Sequence, residues 1–298
     1  MLAFYSDIFV LPLPEGHRFP MRKYSMLRDA VLAAGVVSSE ELRLPPPASD
    51  DELCRAHDSA YVQRVMAGSL SDKELRRIGF PWSEALARRS RHTVGGTLAA
   101  CRAALTDGVA VNLAGGTHHA HRDFGQGFCV FNDAVVAARA MQADGLARHV
   151  LIVDLDVHQG NGTAAMAAAD PTIFTFSVHG AKNFPFHKEH SDLDIPLDDR
   201  TGDDAYLDAL RWGLSRLPWT EADLVIYLAG ADPYAGDTLG RLALTKAGLA
   251  RRDELVFATC RAAGVPVAVA MAGGYARPIE DTVEIHVQTV RLAKEMLA

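Results

Sequence analysis

The chain has 298 residues, 49% of them hydrophobic, and sets 30 Lys and Arg against 37 Asp and Glu for a formal charge of −7. That profile belongs to an ordinary folded protein; it excludes a disordered chain, a collagen-like fibre and a polybasic nucleic-acid arm. No apolar run approaches the ~18 residues a membrane span needs.

In chain order, short apolar runs alternate with longer helical patterns. The N-terminal segment lacks a basic start and is broken by prolines, so it reads as a strand at 2–6 and a loop, not a signal peptide. A Pro-rich loop at 44–49 lies between two helical patterns, and a helix is predicted at 83–105. Then come strand 109–113, helix 131–144, strands 149–156 and 173–179, helix 203–217, strand 223–229, helix 245–263, strand 266–272 and helix 280–297. The strands are nearly continuous in apolar residues, as expected of a parallel sheet covered on both faces. The expected fold is a single α/β domain over residues 1–298, with a central, mostly parallel sheet and helices on both faces. Cys54, Cys101, Cys129 and Cys260 form no CxxC pair, which points to a reducing, cytoplasmic setting.

Ligand sites in parallel sheets lie beyond the carboxyl ends of the strands. Here strand 109–113 runs into GGTHHAHRDFGQGF, 149–156 into DLDVHQGNG, 173–179 into SVHG, 223–229 into GADPYAGD and 266–272 into GGY. Asp154, Asp156 and His158 alternate along a strand end and can converge on one side. With Asp232 from another strand tip they make a set suited to a divalent ion such as zinc, which takes imidazole and carboxylate donors. A plain solvated strand end is the competing reading of this run. His118 and His119, in a Gly-rich loop, could hold a water for attack and protonate a leaving amine. Two exposed loop histidines would look the same. Tyr275 could donate to an oxyanion, and Phe128 could line a channel; either could equally be a packing aromatic.

Together these stretches, with FTFSVH (174–179), LAGADPYAGDTLGRLALT (228–245), RRDELVF (251–257) and AGGYAR (272–277), resemble the histone deacetylase superfamily, and most closely its class IV branch, over roughly residues 90–280. The resemblance implies the arginase/deacetylase fold and a zinc-dependent amidohydrolase acting on ε-N-acyl-lysine. By position it makes Asp156, His158 and Asp232 zinc ligands and His118 and His119 the catalytic pair, with His119 the base. Tyr275 would polarise the carbonyl and Asp154 would orient His118. The acyl-lysine tunnel would be lined by Gly127, Phe128, one of Phe184 or Phe186, Leu239 and Gly273. A monovalent cation, K⁺ in relatives, would sit by Asp154, Asp156, His158, Ser177 and Val178.

Two positions depart from the class I pattern: Asn161 replaces an Asp, which lowers the basicity of His119, and Pro233 follows Asp232. Leu239 stands where polyamine-selective relatives carry an acidic gatekeeper, so an acyl-lysine peptide or a small acyl-amine is the expected substrate. The alternatives are an acetylpolyamine amidohydrolase and a metal-bearing binding protein with little turnover. Arginase chemistry would need more carboxylates, and no GxGxxG follows a strand. Arg76-Arg77 and Arg88-Arg89-Ser90-Arg91 read as solvated helix faces, so neither nucleic acid nor membrane is an expected partner. The oligomeric state is left open.

Overall fold

A computed structural model describes residues Met1–Ala298. Eight strands form one sheet: β1 (Leu2–Phe4), β2 (Leu42–Arg43), β3 (Val109–Asn112), β4 (Val150–Asp154), β5 (Ile173–Gly180), β6 (Leu193–Leu197), β7 (Leu224–Ala229) and β8 (Val267–Met271). Their order is β2-β1-β3-β8-β7-β4-β5-β6, and every pairing is parallel. The helices are α1 (Arg22–Ala33), α2 (Asp50–Cys54), α3 (Ser59–Ala67), α4 (Asp72–Ile78), α5 (Glu84–Asp107), α6 (Asp133–Ala143), α7 (Asn161–Ala167), α8 (Asp203–Leu214), α9 (Lys246–Ala263) and α10 (Ile279–Leu297). The α/β class and the parallel sheet are as expected. None of these helices is long and apolar enough to cross a membrane.

Alternation along each strand explains the unbroken apolar runs. Leu151 and Val153 of β4 enter one core with α1, α8, α9 and α10, while Val150 and Ile152 enter the other with α3, α5 and α6. Both faces are buried, so apolar residues fill both. β6 had no strand signal because Pro196 interrupts LDIPL; it survives because it lies at the sheet's edge, where a missing N–H costs little. The 20–80 region resolves into α1 and the short α2, α3 and α4; α2 and α4 each open with a Ser–Glu capping box.

The central strands β3, β8, β7 and β4 end on one side, and their following loops approach each other there. A buried ion pair behind them fixes two of those loops. Arg252 of α9 is fully buried and bonds Asp253, and it also donates to the carbonyls of Leu155 and Gly230. Asp253 additionally accepts from Tyr227 (2.5 Å) and Thr289 (2.6 Å). One guanidinium thus ties the backbone beside Asp156 to the backbone beside Asp232. Removing one partner of such a pair leaves the other charge buried and uncompensated. Arg252→Met is expected to cost about 3–5 kcal/mol of unfolding free energy, measured by denaturant titration at pH 7.

Candidate active site

The site is assembled from loops that the strands deliver and polar residues then pin. After β3 the chain turns through Gly115 (φ +97°) and Gly116 (φ +63°), a left-handed conformation natural to glycine. Asp133, at the start of α6, accepts from the N–H groups of Gly116 (3.1 Å) and Thr117 (2.7 Å) and from the Thr117 hydroxyl (2.7 Å). Asn132 caps α6 and donates to the carbonyls of His118 (3.3 Å) and Ala120 (3.2 Å). These two residues present His118 and His119, both buried, side by side with ring centroids 4.1 Å apart.

Each imidazole has its own partner. His118 Nδ1 lies 2.7 Å from Asp154 Oδ2, and His119 Nδ1 lies 2.8 Å from Asn161 Oδ1. Burial alone would depress His118, but Asp154 and Asp156 outweigh it and push its pKa up to about 9. His119 goes the other way: burial, then the neighbouring His118 and His158, drive it well below its ordinary value. One ring is therefore cationic and the other neutral at pH 7.

His121, which carried no role in the sequence, completes this arrangement. Its Nε2 lies 3.1 Å from Asn161 Nδ2. Burial, outweighing Glu189 and Asp123, lowers its pKa, so the neutral ring offers a lone pair. The Asn161 amide then donates to His121 and turns its oxygen to His119. That fixes the His119 proton on Nδ1 and leaves Nε2 as acceptor.

Donor atoms of Asp156, His158 and Asp232 all lie within 4.8 Å of one another, and the three side chains are buried. His158 Nδ1 is 2.9 Å from Asp156 Oδ1 and 3.3 Å from Asp232 Oδ2. Asp232 Oδ1 accepts the Val157 N–H, whereas its buried Oδ2 has no hydrogen-bond partner. Gly273 donates its N–H to Asp156 Oδ2 (2.7 Å), and a Cβ there would come within 1.8 Å of Asp232 Oδ2. Gly273 is thus part of the carboxylate cradle as well as of the cavity wall. Burial opposes the charge on Asp156, but His118 and His158 hold its carboxyl well below the ordinary range. Burial and the charge of Asp156 push Asp232 up to about 7. Both acids, against burial, raise His158 to about 10. Two carboxylates, one with an unpaired oxygen, and an imidazole form a donor set that fits a divalent ion.

A cavity of about 640 Å³ opens onto these groups. Its wall includes Gly127, Phe128, Phe184, Phe186, Leu239, Gly273 and Tyr275. Phe184 meets His119 edge-on at 4.9 Å, while Phe186 is 85% exposed and stands at the rim. Gly127 and Phe128 are both left-handed (φ +56° and +66°), and their N–H groups bond the end of α4 through the Arg77 and Ile78 carbonyls. Holding a phenylalanine there costs of order 1 kcal/mol, and the turn brings its ring to the cavity. Asp237 accepts from the N–H groups of Tyr275 (2.6 Å), Leu239 (2.7 Å) and Gly240 (2.9 Å), binding three wall positions in one knot. Ser177 pairs with Asp154 across β5 and β4, and its hydroxyl lies 2.9 Å from His179 Nδ1; Val178 is buried beside it.

A family model described as histone deacetylase domain matches residues 17–290. An uncharacterized protein of Picosynechococcus sp. is 46% identical over 293 residues, covering 98% of both chains. A histone deacetylase-like amidohydrolase of Pseudomonas aeruginosa is 30% identical, over 89% of this chain and 74% of its own. A crystal structure of an HDAC homologue from Aquifex aeolicus shares the fold, with a TM-score of 0.83 at 23% identity over 98% of this chain and 83% of that one.

For a divalent ion held by this group, the raised pKa values of His158 and Asp232 would set the pH dependence of uptake. Both protons must leave before the donors can ligate, so acid opposes binding. Between about pH 7 and 10 only His158 carries a proton to displace; below about 7 Asp232 carries a second. Zinc affinity, measured by chelator competition, is expected to fall about tenfold per pH unit across the upper range and more steeply below pH 7, with proton release detectable by calorimetry.

Proposed function

The chain belongs to the histone deacetylase family, and we propose that it is a zinc-dependent amidohydrolase that cleaves ε-N-acyl-lysine, acetyl or longer, to a carboxylate and a free amine. The observation that carries this reading is the buried Asp156–His158–Asp232 group with an unpaired oxygen, sharing one cavity with a charged and a neutral imidazole. Zinc is the ion we assign, since it favours a small set of mixed N and O donors and keeps a position open. When bound, it supplies a Lewis acid for the scissile carbonyl and makes a water more acidic.

The remaining steps belong to the chain's own groups. His119, neutral and protonated on Nδ1, takes the water proton at Nε2 as the oxygen attacks the carbonyl carbon. Negative charge then builds on the carbonyl oxygen. Burial keeps the Tyr275 phenol protonated far above neutral pH, so it can donate a hydrogen bond to that oxygen. The imidazolium of His118, held in place by Asp154, adds a nearby positive charge. The C–N bond breaks as His119 returns its proton to the departing nitrogen. A monovalent cation beside Asp154 and the backbone of Ser177 and Val178 belongs to the same reading. Leu239, at the rim, offers no carboxylate to a polyamine.

The test compares acetyl-lysine peptide, myristoyl-lysine peptide and acetylputrescine as substrates of zinc-loaded and chelated enzyme. The peptides are expected to turn over only with metal, and Tyr275→Phe is expected to lose about 10²–10³ in kcat, the usual cost of one oxyanion donor. Acetylputrescine as the preferred substrate, or full activity after chelation, overturns the assignment.

The Asn161 arrangement generates a separate expectation. His121→Phe frees the amide and should lower kcat/KM roughly fivefold, the equivalent of one hydrogen bond of about 1 kcal/mol. In an Asn161→Asp background a carboxylate has no wrong face, so the same change should cost nothing. A double-mutant cycle in kcat/KM reads the difference.

A further inference from the structure

The wall of the cavity is strongly unbalanced in charge. It carries seven Lys and Arg side chains, and its only carboxylates are Asp156 and Asp232 of the central group. The whole chain, by contrast, is acidic by seven charges, so this is not a reflection of composition.

Five of the seven, Arg18, Arg76, Arg77, Lys182 and Arg241, are exposed and lie at the mouth. Arg241 is paired with Asp199 at 3.1 Å, whereas none of the other four has a carboxylate within 4.0 Å. Arg77 instead rests over the Phe124 ring at 4.5 Å. The other two, Lys23 and Arg89, are buried in the wall and also lack a carboxylate. Lys23 meets the carbonyls of Ala272 and Gly274 at 3.4 and 3.3 Å, and Arg89 meets those of Ser6 and Phe9 at 3.4 and 3.2 Å. The Arg76-Arg77 pair therefore does more than solvate a helix face: α4 ends at the entrance, with its last turn contributing both guanidinium groups.

We infer that the enzyme selects acyl-amines set among negative charges: the segment flanking the acylated nitrogen carries carboxylates or phosphates that meet the cationic mouth. This deepens the deacylase reading above and rests on it for the acyl-lysine. A concave site lined by one sign of charge focuses the field and raises the local concentration of oppositely charged ligands, an effect that salt screens over about 10 Å at 0.1 M. A polycation meets the opposite field, so polyamines and Lys- or Arg-rich flanks are disfavoured. Carboxylate and phosphate are both readable by guanidinium groups, and the substrate panel separates them.

Peptides identical but for flanks of Glu, phosphoserine, Gly or Lys around one acetyl-lysine are compared with the zinc-loaded enzyme. Turnover is measured, and so is binding of matched peptides carrying a non-hydrolysable ketone in place of the amide. Glu or phosphoserine flanks should improve kcat/KM and Kd about tenfold over Lys flanks at low salt, and the gap should close at high salt as screening demands. The larger gain, Glu or phosphoserine, names the source of the charge. Arg76→Glu/Arg77→Glu and Lys182→Glu should erase the preference, with Arg76→Lys/Arg77→Lys retaining it and circular dichroism confirming the fold of each. Equal rates on all flanks, a preference for Lys flanks, or charge-reversed variants that keep the full preference overturn the inference while leaving the deacylase reading intact. Salt-sensitive binding of the acidic ketone peptides without any peptide hydrolysis overturns the deacylase reading and upholds the inference.

Discussion

Two carboxylates, Asp156 and Asp232, are buried against each other, and much of the surrounding structure answers the repulsion between them. Such charges are tolerated inside a protein only with paired charge and directed hydrogen bonds. His158 stands between them, the Val157 and Gly273 N–H groups each point at one, and His118 adds positive charge nearby. One oxygen is still left without a donor. A buried carboxylate oxygen without a donor suits a cation, and the same crowding of acids leaves Asp232 and His158 with protons to exchange for it.

The scaffold supplies this arrangement from behind and from the side. Arg252 joins the two acid-bearing loops through their carbonyls, so the carboxylates cannot drift apart without breaking hydrogen bonds to a buried guanidinium that Asp253 holds in place. Asn132 and Asp133 perform the corresponding task for the histidine loop, using side chains where no strand partner exists. Loops this rich in polar backbone can be buried only when each such group has a partner.

The chemistry was more legible than its supports. Strand tips were readable because apolar β-branched runs end abruptly in His, Asp and Gly, and the alternation of Asp154, Asp156 and His158 follows from strand geometry. The predicted strands lie where the structure has them, to within a residue or two at most ends. The positions that hold the site were silent because their partners are remote: Asp237 meets Tyr275, 38 residues away, and Arg252 meets Leu155, 97 residues away. Local sequence carries no trace of such pairs. Asn132, preceding an Ala-rich helix, shows a cap signal but nothing of its second task at His118. β6 was hidden by Pro196, and the small helices before residue 80 were hidden for a simpler reason, being too short to show a period.

The knot around Asp237 links two properties usually thought of separately. The same carboxylate anchors the backbone of Tyr275, whose phenol lines the cavity, and of Leu239, half-buried in the same wall. A change that reshapes the doorway will therefore disturb the phenol, and descendants of this protein should find new diets hard to acquire without first becoming slower.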